Sequence, residues 1–179
     1  MRIVAGKYRG RMLKSFDGTS IRPTSDKARE SLFSILQFKI YGKSFLDLFA
    51  GTGAMGIEAL SRGAKFAWFN DASRESLAII KSNLTALRVE EEHKVTNLDA
   101  ITLLKTLPQK FDYIYIDPPY QSDLKNSAIS NSIQALNDDG VIIFEDEKAF
   151  DAQIDGLTIF DRRKYGRIHL TFFKKEERQ

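Results

Sequence analysis

The sequence predicts an α/β fold: a seven-stranded, mostly parallel sheet closed by an antiparallel C-terminal strand pair. Two observations carry this reading. From Ser44 onward, short apolar runs alternate with helical segments, the pattern of repeated strand–helix–strand units. At the end, residues 157–165 and 168–173 meet around Gly166 with no room for a helix between them, so the last two strands run antiparallel.

The elements follow in order. Residues 2–5 and 11–14 read as two short strands joined through Gly6 to Gly10, a small hairpin. Ile21-Arg22-Pro23-Thr24-Ser25 breaks that pattern and offers an N-cap. A helix then runs to about Lys39, with Ala28, Leu32, Ile35 and Leu36 on one face. Residues 45–49 form a strand, followed by a glycine-rich turn and a helix to Arg62. Residues 65–69 form the next strand and 73–87 its helix. A brief strand around Val95 precedes a helix at 100–107. Residues 111–116 are a strand, 124–136 a helix and 141–144 a strand. Trp68, Phe172 and Phe173 read as core. The one boundary is a shift in composition near residue 43, which separates a basic extension, residues 1–43, from the α/β domain, residues 44–179.

A chain of 179 residues is long enough to bury a core without staples. Apolar residues at 42% and charged residues at 28% exclude disorder and low complexity. The absence of cysteine excludes disulfides, thiolate catalysis and cysteine-ligated metals. His93 and His169 lie far apart, so no metal site is expected. No run reaches the ~18–20 apolar residues of a membrane helix. Lys7, Arg9 and Arg11 stand where a signal peptide would be apolar. A cytoplasmic protein without membrane association is expected, and nothing in the pattern calls for more than a monomer.

The net charge of +3 conceals an asymmetry. Residues 1–43 carry ten basic side chains against three acids, a balance of +7, which leaves −4 for the remainder. A basic extension on a mildly acidic body suits a phosphate-rich partner, with Arg2, Lys7, Arg9, Arg11, Arg22 and Arg29 as candidate contacts. The bland alternative is a solvated cationic surface.

Gly51, Gly53 and Gly56 stand in G-x-G-x-x-G spacing between a strand and a helix, where a ligand can approach the backbone. Asp71 follows twenty residues after Gly51, at the end of the next strand, where an acid can hold ribose hydroxyls. A dinucleotide and S-adenosylmethionine both fit. Asp47 separates them: a carboxylate there would repel a pyrophosphate but suits a ligand ending in an ammonium group. Asp99-Ala100 follows the third strand. Asp99 could accept an adenine amino group or simply cap the next helix.

The string Asp117-Pro118-Pro119-Tyr120 closes a strand at its carboxyl end, where open α/β sheets bind ligands. The two prolines fix the loop and remove two donors. Asp117 and the Pro118 carbonyl could accept the hydrogens of an exocyclic amine and aim its lone pair at a sulfonium methyl. Tyr120 would stack on the extruded base.

Together these motifs resemble class I S-adenosylmethionine-dependent methyltransferases of Rossmann-like fold. The stretches Arg2-Ile-Val-Ala-Gly-Lys-Tyr-Arg-Gly-Arg11, Ile21-Arg-Pro-Thr-Ser-Asp-Lys-Ala-Arg-Glu-Ser-Leu-Phe33 and Asp47-Leu-Phe-Ala-Gly-Thr-Gly-Ala-Met-Gly-Ile-Glu-Ala-Leu-Ser-Arg-Gly63 resemble the RsmD family in particular. That resemblance implies methylation of guanine N2 in bacterial small-subunit ribosomal RNA, with the RNA or the assembling subunit as partner. It places Asp47, Phe49, Ala50, Gly51, Thr52, Gly53 and Gly56 around the methionine part of the cofactor. Asp71 and Ala72 would meet the ribose, Asp99 and Ala100 the adenine end, and Asp117, Pro118, Pro119 and Tyr120 the target base. The competing readings are an N6-adenine DNA methyltransferase, which shares the Asp-Pro-Pro-Tyr string, and a non-catalytic RNA-binding assembly factor on the same scaffold. A DNA enzyme would need a larger element to read several base pairs than the roughly forty residues outside the sheet.

Overall fold

The computed structural model describes residues 1–16, 23–119 and 124–176. Arg22 and Tyr120, both singled out above, lie outside the described residues. The chain runs α1 (Pro23–Ile35), β1 (Ser44–Asp47), α2 (Ala54–Ser61), β2 (Phe66–Asn70), α3 (Arg74–Leu87), β3 (Glu92–Thr96), α4 (Ala100–Thr106), β4 (Phe111–Ile116), α5 (Leu124–Ser132), a 3-10 turn (Ile133–Ala135), β5 (Leu136–Asp146), β6 (Leu157–Tyr165) and β7 (Ile168–Lys175).

The seven strands form one sheet in the order β3-β2-β1-β4-β5-β7-β6. Strands β1 to β5 pair in parallel, and β7 is antiparallel to both β5 and β6. The chain leaves β1 toward β2 on one side and returns to β4 on the other. This reversal opens a crevice at the carboxyl ends of β1 and β4, where such sheets bind ligands.

Both faces of the central strands are covered, which is why β1 is buried throughout and β4 carries apolar residues on both faces. One core holds Phe45, Tyr113, Tyr115 and Ile143 beneath α1, α2 and α3. The other holds Leu46, Ile114, Ile116 and Phe144 beneath α4 and α5, together with Trp68 and Phe173. His93 lies on β3 and His169 on β7, strands separated by four others. No helix among the described residues is long and apolar enough to cross a membrane.

Three local readings change. The expected hairpin is a single antiparallel bridge between Arg2 and Met12, because the Val4 and Ala5 N–H groups turn away to the Glu58 carboxylate at 2.9 and 3.1 Å. Helix α1 stops at Ile35 rather than near Lys39. The chain must turn inward to bury Ile40, and Gly42 at φ +70 completes that turn. Helix α5 ends at Ser132, and β5 is eleven residues long instead of four. Pairing of Leu136 with Phe111 draws the polar segment 137–140 into the strand, and Asn137 donates to Asp112 at 3.1 Å. No local propensity marks those residues as strand.

The basic extension has no core of its own. Ile3, Tyr8, Leu13, Leu32 and Phe33 join the same apolar cluster as α2 and β1.

Candidate active site

Asp47 ends β1 fully buried. Its Oδ2 accepts the Gly56 N–H at 3.0 Å, whereas Oδ1 has no hydrogen-bond partner among the described residues. Burial pushes its carboxyl up to about 7, the Gly56 N–H partly offsets this, and the charge of Asp71 adds to it. A buried carboxylate oxygen left without a donor is costly. A ligand cation would satisfy it.

The turn above Asp47 needs its glycines for two different reasons. Gly51 and Gly53 sit at φ +53 and +79, a left-handed conformation costly for any side chain. Gly56 is needed for space: a Cβ there would lie 2.2 Å from Phe69 Cε1, so its absence lets α2 lie down on β2.

Asp71, just beyond β2, accepts the Gly51 N–H on Oδ2 and the Ser73 N–H on Oδ1, both at 2.8 Å. Beside it Asn70 is buried and fully paired. Its amide donates to the Leu48 and Leu98 carbonyls at 3.3 and 3.0 Å and accepts from the Thr96 hydroxyl and the Leu98 N–H at 2.8 and 3.2 Å. One side chain thus ties together the carboxyl ends of three strands. Asp99 caps α4 through Oδ1, which accepts from the N–H and hydroxyl of Thr102 at 3.0 and 3.2 Å. Oδ2 takes no part in the cap, so capping and ligand contact are compatible.

A cavity of about 420 Å³ runs over these groups, a size suited to a small-molecule ligand. Phe49, Gly51, Asp71, Ala72, Asp99 and Ala100 line one stretch of it, and Asp117, Pro118 and Pro119 the other. Asp47, Ala50, Thr52, Gly53 and Gly56 are not among its lining residues. The Ala50 N–H donates to the Asn70 carbonyl at 2.8 Å and the Thr52 carbonyl accepts from Asn83 at 2.9 Å, which hold the turn in place.

Asp117 follows β4 directly, at the far end of the cavity. Part of its surface faces the cavity, while the carboxyl sits among acids. Burial and the charges of Glu145, Asp47 and Asp146 hold it well above the usual carboxylate range. Tyr115 donates its hydroxyl to Glu145 Oε2, and Lys125 pairs with Asp146 at 2.6 Å.

Residues 1–174 match the family described as conserved hypothetical protein 95. The chain is 34% identical to "Putative rRNA methyltransferase YlbH" of Bacillus subtilis, over 98% of this chain and 99% of that protein. It is 39% identical to "Ribosomal RNA small subunit methyltransferase D" of Haemophilus influenzae, over 73% of this chain and 69% of that one. The chain belongs to the RsmD family. Among solved structures, the "Putative methyltransferase yhhF" of Escherichia coli superposes on this RsmD-family fold with a TM-score of 0.88 at 30% identity, over 98% of each chain.

The family's N-terminal stretch is riveted to α2. Glu58 is buried and accepts from Val4, Ala5 and Arg62, the last at 2.8 Å. The Ser61 hydroxyl donates to the Ala5 carbonyl at 2.6 Å and accepts the Tyr8 N–H at 3.0 Å. Gly6 presses so closely that a Cβ would lie 1.8 Å from the Ser61 carbonyl oxygen.

This packing sorts the basic residues. Arg2 and Arg9 line an open groove with Lys27, Arg29 and one acid, Glu30. The Lys7 ammonium is already paired with Glu90 and Glu91, both at 2.9 Å. Arg11 donates to the Ala86 carbonyl at 3.2 Å. Arg29 is buried, and its guanidinium donates to the Arg2 carbonyl at 2.8 Å. Sequence reasoning alone misses Asn70, Glu58 and Glu145. Glu58 stands within a quoted family stretch, and a charged residue in an apolar helix is its only signal.

Proposed function

We propose that this RsmD-family protein transfers the methyl group of S-adenosylmethionine to the exocyclic N2 of a guanine in small-subunit ribosomal RNA. The observation that carries the reading is Asp117. Its carboxyl accepts no hydrogen bond from the described residues and stands in a proline-stiffened loop that lines the same cavity as Gly51 of the glycine turn and the strand-end acids Asp71 and Asp99.

The residues fit the cofactor. Asp47 Oδ1, buried and orphaned, matches an ammonium group. Asp71 matches the ribose hydroxyls, and Asp99 the adenine end. The cofactor supplies an electrophilic methyl on a sulfonium. The protein's part is positioning and electrostatics. Asp117 and the Pro118 carbonyl accept the two hydrogens of the amine and orient its lone pair. The acids around Asp117 favour the positive charge that develops on nitrogen as the methyl arrives. Tyr120 stacks on the extruded base.

The RNA assignment is supported by the likeness to ribosomal RNA methyltransferases and by the groove lined by Arg2, Arg9, Lys27 and Arg29, which carries a net positive charge. The direct experiment offers labelled S-adenosylmethionine with unmethylated small subunits, their stripped RNA or duplex DNA, followed by digestion and mass analysis of nucleosides. N2-methylguanosine from the RNA-containing substrates is expected. N6-methyladenine in DNA would overturn the substrate. Asp117→Ala should lower turnover by about 100- to 1,000-fold while cofactor affinity stays within ~3-fold, on the scale expected when transition-state positioning is removed.

A further inference from the structure

We propose that Glu145 is the residue that makes the target pocket read guanine and reject adenine. This rests on the methyltransfer reading above and adds the basis of its base choice.

The placement follows from the sheet. In the parallel pairing of β4 with β5, Tyr115 lies beside Ile143 and Ile116 beside Phe144. The next pair in that register is Asp117 and Glu145. Both fall on the sheet face that carries Tyr115, whose own partner across β1 is Asp47. Glu145 is buried, and its Oε2 is fixed by the hydroxyl of Tyr115, itself locked in the core. Its Oε1 accepts no hydrogen bond from the described residues, and neither oxygen of Asp117 does. Among the described residues no cation pairs with either acid, since Lys125 is taken by Asp146. Charge coupling agrees with the geometry: Glu145 is the strongest charged influence on Asp117.

Two neighbouring carboxylates with open acceptor positions require a ligand that presents neighbouring donors. The Watson–Crick edge of guanine does so, with N1–H beside the N2 amine. Adenine places a bare N1 lone pair beside its N6 amine, and that lone pair would face Glu145. A site built to accept a hydrogen bond rejects analogues lacking the donor far more strongly than a hydrophobic pocket rejects an extra methylene. Asp117 therefore holds the amine, and Glu145 accepts N1–H.

The test uses small subunits carrying guanine, 2-aminopurine or adenine at the methylated position. 2-Aminopurine keeps the N2 amine and lacks N1–H. Wild-type protein should prefer guanine to 2-aminopurine by ~100-fold or more in kcat/KM. In Glu145→Gln, whose amide can donate to a bare N1, that ratio should fall at least ~10-fold, with S-adenosylmethionine affinity within ~3-fold of wild type. Tyr115→Phe, which frees Glu145 without removing it, should reduce the ratio by a smaller factor. An equal loss on both bases in Glu145→Gln would make Glu145 a packing residue and overturn the proposal. If Glu145→Gln no longer binds cofactor, Tyr115→Phe decides, and an unchanged ratio overturns the proposal. Wild-type methylation of the adenine subunits in preference to guanine would remove the underlying reading and this one together.

Discussion

Asp71 accepts the backbone N–H of Gly51 at 2.8 Å, so the acid expected to meet a ribose also holds the glycine turn in shape. A single carboxylate links the ends of β1 and β2 across the floor of the cavity. Asp71→Ala should then act twice. Cofactor affinity should fall at least ~10-fold, and stability should fall by about 1–3 kcal/mol because hydrogen bonds to a charged acceptor are removed. Calorimetric titration and urea unfolding measure the two effects separately. A variant with weakened binding and unchanged stability would show that the turn holds its shape alone.

Asp47 gives a pH signature. Its folded-state value of about 7 lies above the ordinary 3.8, so its burial opposes folding as pH rises through 7 and ceases to do so below about 4. Binding an ammonium requires the ionised carboxylate. Affinity for S-adenosylmethionine should therefore rise by up to ~10-fold per unit between about pH 5 and 7, while the ligand's amine stays charged. Asp47→Asn should flatten that rise and bind more weakly at pH 7.5. The same variant should be more stable than wild type at pH 8 when ligand-free. Binding isotherms and melting curves across pH decide both points.

Glu58 should be the most sensitive structural residue of the extension. It is buried, and three donors converge on it. Glu58→Ala leaves the largely buried Arg62 without its carboxylate and should cost about 3–5 kcal/mol. Proteolysis of the first fourteen residues should accelerate in parallel. Equal protease resistance in variant and wild type would show that Ile3, Tyr8 and Leu13 hold the segment without it.

The basic residues should not contribute equally to RNA binding. Charge reversal at Arg2 and Arg9, which line the open groove, should weaken binding and reduce the salt slope by about 0.7–0.9 for each phosphate no longer neutralised. Reversal at Lys7, whose ammonium faces Glu90 and Glu91, should change that slope little. Filter binding across a salt series distinguishes them, and equal slopes for both variants would exclude the groove as the RNA-binding surface.

The sequence by itself determined the fold class, the glycine turn and the position of Asp117. These depend on short-range pattern. Apolar runs such as 111–116 need burial on both faces, and the glycines at 51 and 53 need a left-handed turn. Asp-Pro-Pro is rigid wherever it stands. The tertiary structure alone decided which acid stands beside Asp117. Glu145 is twenty-eight residues away and becomes its neighbour only through the β4–β5 register. It also decided that the Lys7 ammonium is engaged by two acids while Arg2 and Arg9 face a groove. Strand pairing likewise stretched β5 over residues 137–140, which carry no strand signal. Local chemistry selects each element, but a neighbour supplied by another part of the chain exists only once the elements have packed.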